Sequence, residues 1–222
     1  MKKFVFVFLL VLFCPLVFTG CSQSSEGLIK GALAEVTEDY FFGQNTAFSL
    51  SISVGRRENP YMIDGKAQAL VDFSLLVFKD KSGALHDDSI DAGIVVNGKK
   101  AEVCLEYNPI AGTFMVDLGY RLGKNDIVEF EYSGRAISLN KISDGFHLSS
   151  DEAIRLASKT FKELIASHKT STGLNGECYL KVLGQKDDGG HLYWCFTFVN
   201  RSGKSYNLII SVEDGKVIAS DF

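Results

Sequence analysis

Alternation of apolar and polar residues between about residues 47 and 132, tight-turn dipeptides between the alternating runs, and a helical stretch followed by three further strands predict a mainly β chain with an α+β tail. Short strands at that spacing are expected to pair as an immunoglobulin-like β-sandwich over residues 46–138. A small helix-plus-antiparallel-sheet domain is expected over residues 146–222. Neither region contains a repeat or low-complexity tract, which argues against a solenoid.

Residues 27–46 suit two readings, because Leu28, Ile29, Leu33 and Val36 fit either a short helix or an edge strand. After them, Phe48, Leu50, Ile52 and Val54 alternate with Ser49, Ser51 and Ser53, as in a strand with one buried face. Residues 56–69 hold Asn59-Pro60 and Asp64-Gly65 and are expected to form a loop. Loops on a rigid β scaffold often carry binding, and Tyr61 here is a candidate for stacking on a sugar or a peptide. Val71, Phe73, Leu75 and Val77 mark the next strand. Asn97-Gly98 is a two-residue hairpin signal, since both positions tolerate positive φ. Val103, Leu105 and Tyr107 alternate inward after it, then Phe114, Val116 and Leu118, then Val128, Phe130 and Tyr132.

The tail opens with Ser149-Ser150-Asp151-Glu152, a capping box in which Ser149 accepts from the third helical amide and Glu152 reaches back. Ile154, Ala157, Phe161, Leu164 and Ile165 then recur on one helical face, so the helix is expected to reach about His168. Strands follow near 177–183, 191–199 and 204–212, with 216–220 suited to a fourth. Their turns hold Asp187-Asp188-Gly189-Gly190, Ser202-Gly203 and Asp214-Gly215.

Within the middle strand, Trp194, Phe196 and Phe198 fall on one face and Tyr193, Cys195 and Thr197 on the other. The first set is expected to pack on the helix, together with Cys178, Leu180 and Val182. Cys178 and Cys195 therefore point to opposite faces, and no disulfide is expected between them. The outer face carries Tyr179, Lys181, Tyr193, Thr197, Asn207 and Ile209. Tyr179, Tyr193 and Ile209, with Tyr61, are the candidate partner-binding residues, because exposed tyrosines are common anchors at interfaces.

The order of helix and strands, with Asp151-Glu152-Ala153-Ile154 at the helix start, Leu192-Tyr193-Trp194-Cys195-Phe196 in the middle strand and Val212-Glu213-Asp214-Gly215-Lys216-Val217 near the end, resembles the PepSY domain. PepSY domains are associated with the propeptides of secreted metallopeptidases, which they are thought to inhibit or modulate. The resemblance implies an extracytoplasmic peptidase, or another envelope protein, as partner. No peptidase follows in this chain, so modulation would act in trans.

At the N-terminus Lys2 and Lys3 precede an apolar stretch over residues 4–18, then Thr19-Gly20-Cys21 and polar Ser22-Gln23-Ser24-Ser25. A basic head, a short apolar core and a small residue before the cut make a secretory signal; the apolar run is shorter than the ~20 residues that span a bilayer. The cysteine after the small residue resembles the lipobox of bacterial lipoproteins, with Phe18 where leucine is usual. That resemblance implies a signal peptide over 1–20, lipidation of Cys21, a tether and lead-in segment over 21–45, and a protein held at a membrane by acyl chains, facing outside the cytoplasm. Two acyl chains give stable anchoring where one gives only reversible binding.

Without the signal the formal charge moves from −4 to −6, and no basic run remains, so nucleic acid is not an expected partner. His86-Asp87-Asp88 and Asp91 form the densest acidic cluster but lack the spacing of a calcium loop. His86, His147, His168 and His191 are scattered, and no nucleophile elbow, phosphate loop or zinc pair is present. No metal, cofactor or catalytic residue is expected. The sequence therefore reads as a non-enzymatic, lipid-anchored extracytoplasmic binding protein that modulates a peptidase. The alternative is a surface lipoprotein recognising a cell-wall sugar or small solute through loops around Tyr61. Replacing Cys21 by Ser is expected to move the protein from the membrane pellet to the soluble extracytoplasmic fraction, read by fractionation and intact mass; unchanged partition would remove the lipid anchor.

Overall fold

A computed structural model of the chain describes residues 24–85, 87–184 and 190–221. Cys21 and the signal segment lie outside the described residues. Helix α1 (Ser25–Gly31) leads into β1 (Leu33–Gln44), so the ambiguous stretch is a helix and a strand in succession. Then come β2 (Phe48–Glu58), β3 (Leu70–Asp80), β4 (Ser89–Val96), β5 (Lys99–Asn108), β6 (Thr113–Asp117), β7 (Val128–Tyr132) and β8 (Arg135–Lys141). A 3-10 turn (Ser143–Gly145) links to α2 (Ser150–Thr160) and α3 (Lys162–Ser167). The short strands β9 (Lys169–Thr170) and β10 (Gly173–Leu174) precede β11 (Gly176–Gly184), β12 (Leu192–Asn200), β13 (Ser205–Ser211) and β14 (Val217–Asp221).

The expected sandwich with a separate α+β domain is not what the chain builds. Strands pair in the order β1-β2-β3-β6-β5-β4-β7-β8, and β8 pairs back onto β1, closing an eight-stranded antiparallel barrel. Four further strands, β11 to β14, extend the same sheet outside the barrel, starting from the edge of β1 that β8 meets further along. Alternation and turn residues are common to a sandwich and a barrel; what separates them is whether first and last strands meet, which no local pattern reports. The closing strand β8 was also hard to see, because only Ile137 and Leu139 within it are buried.

Smaller differences have similar causes. The expected loop at 56–69 begins only after Glu58, because β2 stays paired to β3 out to the Glu58–Leu70 pair. In β3 the barrel interior takes Leu76 and Phe78, while Phe73 is buried on the outer side beneath the Arg57 guanidinium, 5.0 Å from its ring centre. The Asn97–Gly98 turn forms as expected, with φ of 51° and 77°. The capping box of Ser149 and Glu152 is present. The helical stretch is broken at Phe161, whose buried ring packs 5.7 Å from Phe196.

Two cores result. The barrel interior is filled by side chains: Phe78 meets Phe48, Phe114, Phe130 and Tyr132 at centroid distances of 5.0–6.1 Å. With Phe41, Ile52, Ile94 and Leu105 also buried there, the interior is packed protein and not a lumen. The second core lies between the extension and the helices, where Leu180, Trp194, Phe196, Phe198 and Leu208 meet Ile29, Ile154 and Phe161. Trp194 satisfies its indole N–H by donating to the Leu148 carbonyl at 3.0 Å.

Strand β1 joins the two. Its residues 33–36 pair in parallel with β11, while Phe41 and Phe42 pair antiparallel with β8. Between these stretches the register against β2 slips by one residue, with Thr37 opposite Gly55 and Asp39 opposite Val54. At the fork Lys141 reaches Asp39 at 2.9 Å and Asp144 at 2.7 Å; the Lys141 and Asp39 side chains are only about a tenth exposed. Burial alone would lower the Lys141 pKa, but its bonds to Asp144 and Asp39 outweigh that and raise it. Gly55 is required by contact: a Cβ there would stand 2.0 Å from the Val36 carbonyl oxygen. Lys141→Met, which leaves the Asp39 carboxylate buried without its cation, is expected to cost about 3 kcal/mol in urea unfolding. Gly55→Ala is expected to cost at least about 2 kcal/mol, since backbone and not a flexible side chain must move.

Candidate functional site

The outer face of the sheet runs without interruption from the barrel wall onto the extension, and loop 59–69 is laid across the junction. Glu58, at the end of β2, clamps that loop: one carboxylate oxygen accepts the Met62 N–H and the other the Gln68 N–H, each at 3.2 Å. Tyr61 then packs edge-on against Tyr179, with ring centres 6.2 Å apart. The Lys181 ammonium donates to the Tyr61 hydroxyl at 2.7 Å and pairs with Glu35 at 3.0 Å. It also lies over the Tyr61 and Tyr179 rings, at 5.1 and 5.5 Å from their centres. From the barrel side Arg57, paired with Asp117, approaches Tyr61 at 5.7 Å.

Three carboxylates are buried in this junction: Glu35, Glu58 and Glu177. Tyr179 donates to one oxygen of Glu177 at 2.5 Å; the other oxygen has no partner among the described residues. Burial, reinforced by the negative charge of Glu177, raises the Glu58 carboxyl above its ordinary value against the pull of the Met62 and Gln68 amides. Burial and then the Glu177 bond push the Tyr179 phenol far above its usual range. Burial lowers the Lys181 pKa, but the Glu35 charge and the Tyr61 hydroxyl more than offset it, so the ammonium stays charged. This arrangement holds a loop rigidly; its acids are satisfied from within or shut away from solvent.

Of the four candidate residues, the structure brings Tyr61 and Tyr179 into contact. Tyr179 is 4 % exposed, so loop 59–69 covers it and it is not a free anchor. Tyr193 and Ile209 lie half-buried on β12 and β13, further along the same face. Cys195 sits opposite Ile209 on that face, while Cys178 is buried among the helix-side residues; both thiols are free, as is the exposed Cys104. Burial pushes the Cys178 and Cys195 thiols up, which keeps them protonated and unreactive. Sequence reading passed over Glu35 and Glu177 and placed Arg57 and Glu58 in the loop, whereas both end strand β2; nothing local marks which acid on a strand will be buried.

A second feature is a cleft of about 660 Å³ between the barrel rim and the start of α2. Leu33, Leu70, Ile154 and Trp194 contribute its apolar side, and the Arg56–Glu38 and Lys30–Asp151 pairs, at 2.9 Å each, line its charged side. In the acidic segment His86 lies outside the described residues, while Asp87, Asp88 and Asp91 are exposed. The ordering residue there is Asp80, which accepts from the amides of Ser82, Ala84 and Leu85. Asp187, Asp188 and Gly189 also lie outside the described residues. Among the described residues no group of three His, Cys, Asp or Glu side chains has metal-binding geometry, and no helix is long and apolar enough to cross a membrane.

Glu58 binds its proton more tightly in the folded than in the unfolded chain. Its contribution to stability is therefore full below the ordinary value of 4.5 and is lost as pH rises through the raised folded value. The difference in urea midpoint between the native chain and Glu58→Gln is expected to shift against the native chain as pH rises above 4.5. A difference independent of pH would show that Glu58 does not titrate in this way.

Comparison with protein-family models, with curated proteins and with solved structures finds no match to this chain.

Proposed function

We propose that the chain is a non-enzymatic, lipid-anchored extracytoplasmic binding protein that docks a protein partner by strand addition at β14. The supporting observation is the open edge of the sheet. One end of the strand order, β8, is sealed on β1; the other end, β14, pairs only with β13 among the described residues. All five residues of β14 are exposed, with Val217 and Ile218 at 43 % and 57 %. Exposed edges are normally blunted by proline, inward charge or a covering element, and β14 has no proline or lysine within it. Such an edge offers backbone donors and acceptors to an extended peptide, while its side chains select the partner. The PepSY resemblance of residues 146–222 favours an extracytoplasmic peptidase as that partner.

A second reading, binding of a small solute or cell-wall sugar, is favoured by the cleft beside Trp194, whose volume suits a small molecule. The loop around Tyr61 is less suited to it, because Lys181 and Tyr179 already occupy that ring.

Crosslinking in intact membranes, with captured proteins identified by mass spectrometry, separates the two. Val217→Lys with Ile218→Lys changes only exposed side chains and is expected to reduce capture of a peptidase at least about tenfold, as loss of two apolar contacts implies. Equal capture by both proteins would rule out docking at β14 and turn attention to the cleft. The paired substitution is preferable to truncation after Asp144, which would strip β11 from β1 and expose the Trp194 core.

A further inference from the structure

Loop 59–69 presents Tyr61, Met62 and Ile63 in succession at 38 %, 43 % and 65 % exposure. Apolar side chains at a loop tip are ordinary when the loop is loose; here the loop is held from three directions. Glu58 binds both Met62 and Gln68 amides, Tyr61 is pinned by Lys181, and Gly65 sits so close to Arg201 that a Cβ would stand 2.9 Å from the Arg201 Cα. A loop ordered at that cost, with its two most apolar side chains turned outward, is preorganised for contact with an apolar medium. Exposed basic side chains stand at its base: Lys66 follows the tip, and Arg201 of the β12–β13 turn lies against Gly65, while of the nearby carboxylates Asp64 is exposed and Glu35, Glu58 and Glu177 are buried.

Position in the chain identifies the medium. Gly31 and Ala32, at the end of α1, line one cleft with Gly65, Lys66 and Arg201. Helix α1 is seven residues long, about 10 Å, and the three residues from Ser24 back to Cys21 span at most about 10 Å. Acyl chains on Cys21 would therefore hold the loop's base within about 20 Å of the bilayer surface. We propose that Met62 and Ile63 insert into the headgroup region of the membrane that carries the anchor, with Lys66 and Arg201 facing anionic headgroups. The inference rests on the lipid-anchor reading for proximity, and the loop's own chemistry supplies the contact. The loop would then act as a second foot that sets the protein's orientation and turns β14 toward partners at a defined height.

The test uses the full-length acylated protein carrying Cys104→Ser, to remove the exposed thiol, and Ile63→Cys labelled with an environment-sensitive fluorophore. The companion variant carries the label at Asn97, in the β4–β5 turn on the barrel wall opposite β1. Both are reconstituted in vesicles of phosphatidylcholine with and without phosphatidylglycerol. The expected result is a blue-shifted emission at position 63, quenched by spin-labelled lipid and stronger with phosphatidylglycerol, and water-like emission at position 97. Water-like emission at position 63 in protein that is acylated by mass and floats with the vesicles overturns the inference while leaving the anchor standing. Protein that is not acylated sinks the anchor instead; a blue shift at position 63 on phosphatidylglycerol vesicles would still uphold the loop's role, and its absence would overturn it. A shift seen in native membranes but never in pure lipid overturns it in favour of a protein surface.

Discussion

One strand edge governs this molecule. β1 gives its first residues to β11 and its last to β8, so one line of backbone donors and acceptors serves both the extension and the barrel closure. A straight strand could not do this, because the faces of barrel and extension must part. The one-residue slip between Thr37 and Asp39 provides the parting. Before the slip Val36 shares a face with Arg56 and Leu180; after it Phe41 faces the barrel interior, and Tyr40 and Phe42 face out. Val36, Tyr40 and Phe42 nevertheless join one helix-covered core. Close approach at Gly55 and the buried Asp39–Lys141 pair hold the fork at the point where neither neighbouring strand covers it.

The same fork decides where chemistry is available. Because the barrel closes, its interior is filled with packed aliphatic and aromatic side chains. Because the extension does not close, it leaves β14 open and makes a corner with the barrel rim, and that corner is the cleft beside Trp194. On the opposite face the continuous sheet gives loop 59–69 a floor of Tyr179, Lys181 and Glu35 drawn from two strands far apart in sequence. Edge, cleft and pinned loop are thus three consequences of one barrel extended from one of its own strands.

Much of the local structure was legible. The capping box at Ser149, the Asn97-Gly98 turn and the inward run of Trp194, Phe196 and Phe198 each follow from chemistry within a few residues, where steric and hydrogen-bond rules act alone. The candidate site was legible only in part. Tyr61 and Tyr179 were singled out separately as exposed aromatics, yet they meet each other, and in meeting Tyr179 loses its exposure. Glu58 read as part of a loop and Glu177 carried no signal at all, since an acid on a strand reads as solvent-facing until another segment covers it.

By itself the sequence determined the strand spans of the tail and the start of its helix, most turns of the barrel, and the opposed faces of Cys178 and Cys195. These depend on period, turn chemistry and composition, which are properties of neighbouring residues. Only the tertiary structure decided that eight strands close into a barrel and not a sandwich, that β1 is shared, and which carboxylates are buried. Those outcomes hang on pairings such as Phe41 with Lys141 and Val36 with Leu180, made across more than 90 residues of chain. Such contacts are chosen by the summed packing of both partners, and alternation within either strand is the same whether or not the pairing forms.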